Sequence, residues 1–178
     1  MNKEELKRIL EEHKIWFESE GRDGRRADLL GANLTGTYLV GAILEDAILS
    51  DAKLVGAILK GANLKGAYLY HANLKGAKLT DAVLVNADLN GIDLTGANLT
   101  GANLTGADLE SADLRDANLE SANLESANLD YANLEGAKFS IEIRECSCFG
   151  GASVSKEQLY WLCLHPRFKE FLPTLEIK

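Results

Sequence analysis

Apolar and polar positions recur along this chain with a period of five. Leucine stands at every fifth residue from Leu29 to Leu134, and Phe139 takes the last place. Alanine stands two residues before each, replaced only by Thr37 and Ile92. Five fits neither the roughly 3.6-residue period of a helix nor the roughly 2-residue period of a plain strand. It fits a chain that runs extended for about three residues and then turns. In Gly101-Ala102-Asn103-Leu104-Thr105, Ala102 and Leu104 share one side, Asn103 takes the other, and Gly101 and Thr105 form the corners. With Leu and Ala inward, each pentapeptide is one side of a tube. Glycine suits a corner, and Asp46, Asp51, Asp81, Asn86 and Asp116 in the same register are also turn formers. One side cannot bury its own leucine, so coils must stack about 4.7–4.9 Å apart with backbone hydrogen bonds between them. Alanine is then required where the chain bends inward, and Ile92 predicts local distortion. The competing reading is a long leucine-rich helix. A period of five would smear the leucines around it, and sixteen glycines would weaken it.

The motif A-(D/N)-L-x-x, running from Ala27 to about Ser140, resembles the pentapeptide repeat family. The resemblance implies an all-β solenoid, a right-handed four-sided parallel β-helix with about twenty residues per coil. Twenty-three pentapeptides then make nearly six coils, a rod about 28 Å long at ordinary strand spacing.

A solenoid leaves open edges at both ends, so caps are expected there. Asn2 with Glu5 reads as a capping box and Met1 with Leu6 as a staple. Leu6, Ile9, Leu10, His13, Trp16 and Phe17 then form an apolar helical face, with Gly21 as the stop. His13 on that face is a packed cap residue rather than a ligand. Beyond Phe139, Ile141 to Cys148 alternates as a last strand would. Ser155 with Gln158 is a second capping box and Val154 with Leu159 a second staple, opening a short helix that stops before Pro166. The chain thus divides into a helical cap and connector (1–26), the repeat tube (27–140), and a strand with a helical cap (141–178).

Charge divides the tube further. Residues 41–80 carry five lysines and three acids, whereas residues 81–136 carry eleven acids against Arg115 alone, a net of −10. Such an acidic rod is a poor surface for nucleic acid and suits a basic partner. The first half instead places apolar residues outward. On a twenty-residue coil Ile48 stacks with Tyr68, Tyr38 with Ile58, Asp88 with Asp108, and Asp93 with Asp113. Together with Tyr70, these are the candidate partner surface.

Little chemistry of other kinds emerges. Cys146, Cys148, Cys163 and His165 supply four zinc-type ligands, but ligands two apart are too close for the usual tetrahedral pairs, so no metal is expected. A metal-regulated or fold-switching sensor would rest on that cluster alone. His71 has no nucleophile or carboxylate placed to form a triad, and a tube filled by Leu and Ala offers no concave pocket. Neither an enzyme nor a cofactor is expected. Three late cysteines argue against a disulfide scaffold and for a reducing cytoplasm. The charged N-terminus lacks a secretory core, and no apolar run is long enough to span a membrane.

The leading expectation is a scaffold or interaction solenoid that binds another protein. The alternative comes from the resemblance: quinolone-resistance members of the family bind DNA gyrase as acidic mimics of duplex DNA. Those members favour Phe at central positions where this chain has Leu. A homodimer is expected through the C-terminal segment containing Tyr160, Trp161, Phe168 and Phe171, whose apolar surface exceeds what one coil end needs.

Overall fold

A computed structural model describes residues 1–139 and the backbone of Ser153–Val154 and Glu176–Ile177. The repeat forms a right-handed quadrilateral β-helix. Parallel bridges join residues twenty apart from Asp28↔Ile48 to Asp113↔Asn133. The next contact in the series, Asn118↔Lys138, lengthens to two residues and forms strands β1 (Asn118–Leu119) and β2 (Lys138–Phe139), also parallel. Strands β3 (Ser153–Val154) and β4 (Glu176–Ile177) pair in parallel as well. Every register leucine from Leu29 to Leu134 is 2% exposed or less, so the interior is a packed column. Ile92 is equally buried. Its amide still reaches Leu89 at 3.2 Å, and Asp113 still donates to its carbonyl at 2.9 Å. The expected distortion is limited to the turn bond to Leu89, which is 3.2 Å long against 2.9–3.1 Å at the other positions of the register.

The pentapeptide composition follows from its amides. In the rung of Asn103, the Asn103 N–H donates to Ala82 O at 2.9 Å and Leu104 N–H to Asn123 O at 2.7 Å. Gly106 N–H reaches Glu125 O and Ala107 N–H turns back to Leu104 O. The fifth donor, Thr105 N–H, bonds to Asn103 Oδ1 at 3.1 Å. All five backbone donors are therefore satisfied, and the residue before leucine is Asn or Asp because a short side-chain oxygen must reach the amide two residues on.

Helix α1 (Lys3–Glu18) closes the N-terminal end. Asn2 accepts from Glu5 N–H at 2.8 Å, as expected. The helix ends at Glu18 with Ser19 as its cap, and the left-handed turn that closes it begins at Glu20, one residue before Gly21. Glu20 adopts φ 55°, with Glu20 N–H bonded to Phe17 O and Gly21 N–H to Trp16 O. Leu6, Ile9 and Leu10 pack on the core. His13 is fully buried, stacks on Trp16 at 5.4 Å and accepts the Ala27 N–H at 3.1 Å through Nδ1. That amide opens the first coil and has no coil below it to bond. The ring's proton therefore sits on Nε2, which makes no hydrogen bond among the described residues. Burial lowers the His13 pKa, and only the nearby Glu45 backbone and Asp46 oppose this.

Candidate partner surface

The twenty-residue coil sorts the outward residues into four columns. Asp28, Ile48, Tyr68, Asp88 and Asp108 share one face; Lys53, Asp93 and Asp113 share the next; Tyr38 and Ile58 share the third. The predicted vertical pairs Ile48–Tyr68, Tyr38–Ile58, Asp88–Asp108 and Asp93–Asp113 all stack. The nine surface candidates do not form one patch, however, because they are spread over three faces and one corner. Tyr160, Trp161, Phe168 and Phe171, the cysteines and His165 lie outside the described residues.

Ten rungs in succession, Asp88 to Asn133, bond the amide two residues on through the side chain. Eight earlier rungs, at Tyr38, Ile43, Ile48, Lys53, Ile58, Tyr68, Lys78 and Val83, hold residues that cannot. Each gives up a bond worth about 0.5–1.5 kcal/mol to present another side chain. The sequence signal was visible as a break in the Asn/Asp run, and the structure supplies its energetic meaning.

The corner that follows the Asp28 face carries a second such concession. Corner residues sit at left-handed φ, where glycine, Asp, Asn and Ser predominate. The two bulky residues in this conformation within the tube are His71 (φ 55°) and Tyr131 (φ 60°), and both lie on this corner. Tyr70 stacks on His71 with ring centroids 3.9 Å apart. His71 leans over Gly91, where an added Cβ would meet its Cδ2 at 2.6 Å. Tyr68 lies alongside under the Arg26 guanidinium, 5.4 Å from the ring centroid. Leu30 and Tyr131 at the two ends of the column are 62% and 67% exposed. Glu110 and Asp130 stand on the same corner, and Asp88 and Asp108 on the adjoining face, where Asn128 Nδ2 donates to Asp108 Oδ1 at 3.0 Å. The corner and the adjoining face thus offer aromatic faces and carboxylates side by side, a combination that suits cationic side chains.

The neighbouring face is different. Asp113 is held by Arg115, whose Nε lies 2.8 Å from Oδ1. That guanidinium holds the Asp113 carboxyl below its usual range. At another corner Lys65 and Asn63 both bond Glu45, each at 2.9 Å, and Lys65 lowers the Glu45 pKa. These carboxylates are neutralised within the molecule. Among the described residues, no group of His, Cys, Asp and Glu is arranged to hold a metal ion, and no helix is long and apolar enough to cross a membrane.

A family model described as pentapeptide repeats matches residues 27–66, 47–86, 62–101, 77–116 and 102–140. The chain is similar to a solved pentapeptide repeat protein of the Arabidopsis thaliana thylakoid lumen, with 28% identity, 79% of this chain and 77% of that one covered, and a TM-score of 0.48. It is similar to a pentapeptide repeat protein (Rfr23) of the cyanobacterium Cyanothece 51142, with 30% identity, 74% and 95% covered, and a TM-score of 0.41. It also resembles QnrB1, a plasmid-mediated fluoroquinolone resistance protein, with 16% identity, 77% and 79% covered, and a TM-score of 0.36. No curated protein matches the chain.

Proposed function

The chain belongs to the pentapeptide repeat family, and from that premise we propose that it is a non-catalytic cytoplasmic rod that binds a partner protein. The partner surface is the Asp28 face with the corner that follows it. The observation that carries this reading is the placement of His71 and Tyr131, two bulky side chains in left-handed backbone, on the same exposed corner. Such positions cost about 1–2 kcal/mol relative to glycine. A solenoid whose other corners hold glycine or the small polar residues Asp, Asn and Ser keeps these two for what they touch. Tyr70, His71 and Tyr131 with the intervening carboxylates suit a partner that presents lysine or arginine.

The test is capture from the source cells with intact protein and with a Tyr70→Ala/His71→Gly/Tyr131→Gly variant. A partner retained by the first and lost by the second supports the surface, and equal capture contradicts it.

A second reading, the acidic mimic of duplex DNA that binds a topoisomerase such as gyrase, is favoured by one quantity. Residues 81–136 carry a net −10 along about 13 Å of rod, one charge per about 1.3 Å, against about 1.7 Å in duplex DNA. Inhibition of gyrase supercoiling by the purified protein would establish this reading, and undisturbed supercoiling at saturating protein would remove it.

A further inference from the structure

The cap leaves part of the first coil uncovered. Helix α1 seals Ala27 through His13, but Thr37 and Ala42, in the alanine register of the third and fourth sides, remain partly exposed, as does Ala32 on the second. In the coils above, the residues stacked on them, such as Ala57, Ala62, Ala77 and Ala82, are fully buried. A groove of about 850 Å³ runs there between the helix and the coil. Its floor is Leu6, Leu10, Ala42 and Ile43, and Lys3, Lys7 and Lys14 stand along its helical wall with Glu11. Lys7 pairs with Glu11 at 3.9 Å and Lys14 with Glu18 at 3.6 Å, exposed pairs that hold their lysines only weakly.

The rim of this groove is an open strand edge. In later coils the residue before leucine donates its N–H to the coil below and accepts at its carbonyl from that coil, as Ile58 does with Thr37 O and Leu39 N–H. Tyr38 and Ile43 have no coil below. Among the described residues, nothing bonds to the N–H or the carbonyl of either. Each presents a donor and an acceptor side by side, which is what a peptide backbone matches. A free anion would satisfy only the donors.

We propose that this gap binds an extended acidic peptide of a partner protein, added as a partial rung. The peptide's backbone pairs in parallel with Tyr38, an apolar side chain enters between Leu10 and Ala42, and carboxylates meet Lys3, Lys7 and Lys14. The apolar floor favours alternation of acidic and apolar residues, because successive side chains of an extended segment point to opposite sides. The site is separate from the His71 corner and does not depend on it.

Fluorescence anisotropy of the intact protein with a short labelled peptide of alternating glutamate and valine tests this. Saturable binding is expected, weakened about tenfold or more by N-methylation of alternate peptide amides, which removes the backbone donors. A Lys3→Gln/Lys7→Gln/Lys14→Gln variant, its helix verified by circular dichroism, should bind about tenfold more weakly or worse. Absence of saturable binding overturns the proposal, as does binding indifferent to N-methylation or to the lysines. A protein dimer that dissociates in an Ala42→Arg variant would assign the gap to a second copy and overturn it equally.

Discussion

The lower and upper halves of the tube share one interior and differ in how their outer residues treat the backbone. From Asp88 to Asn133 every rung spends its outward side chain on its own amide, as Asn103 does for Thr105. Before that, Tyr38, Ile48, Ile58 and Tyr68 leave the same amide without that side-chain bond and display an apolar surface instead. The leucine column does not register the change, since Leu64 and Leu104 are both 1% exposed or less. Inside and outside are therefore nearly independent in this fold. The interior is dictated by coil geometry, and the exterior is available for recognition wherever the chain can forgo a local bond.

The largest test of that independence lies inside. Leu64→Asp and Leu104→Asp should each destabilise the tube by more than about 4 kcal/mol, because a buried unpaired carboxylate has no compensation. Thr105→Asp should remain within about 0.5 kcal/mol of the parent. Urea unfolding checks both, and a mild effect at Leu64 alone would show that the halves differ in their cores too.

The cap comes next. His13→Ala should cost about 2 kcal/mol through lost packing and an orphaned Ala27 amide. The His13 pKa is lowered from 6.5 in the folded state. The unfolded chain therefore binds more protons as pH falls, so this contribution is full above about 6.5 and is lost as pH drops through that value towards the lower folded pKa. Protonation of Nδ1 would also remove the acceptor for Ala27. Hydrogen exchange at Ala27 should accelerate between pH 7 and pH 5 after correction for intrinsic rates, with deep rungs such as Leu104 unaffected.

The smallest effect addresses the halves directly. Asn103→Ala should destabilise by about 1 kcal/mol, whereas Ile58→Asn should stabilise by about 0.5–1 kcal/mol by restoring the missing bond. Thermal melts of the two variants check the opposite signs. Equal signs would mean that the outer bond contributes nothing.

Most of the fold was legible because a period of five admits one arrangement of Leu, Ala and corner. The vertical pairs were legible too, since residues twenty apart must stack once the coil length is known. The separation of Tyr38 and Ile58 from Tyr68 and Tyr70 follows from the same arithmetic, which assigns them to different sides. What local pattern does not encode is contact between distant segments. The His13–Ala27 bond joins residues fourteen apart across a cap, and the groove beside Tyr38 depends on where α1 comes to rest. The strain at His71 and Tyr131 was half visible, as a shared register without its dihedral angle. The expected distortion at Ile92 proved slight, because the bonds of its backbone to Leu89 and Asp113 hold the rung in register.

The central claim is that the His71 corner is kept at the expense of backbone stability. Urea unfolding of a His71→Gly/Tyr131→Gly double variant tests it most directly. Left-handed backbone is relieved at two independent sites, partly offset by the greater chain entropy of glycine, so the account predicts a gain of about 2 kcal/mol in total with an unchanged m-value. A variant no more stable than the parent would contradict it, because those side chains would then be ordinary corner residues with nothing to explain.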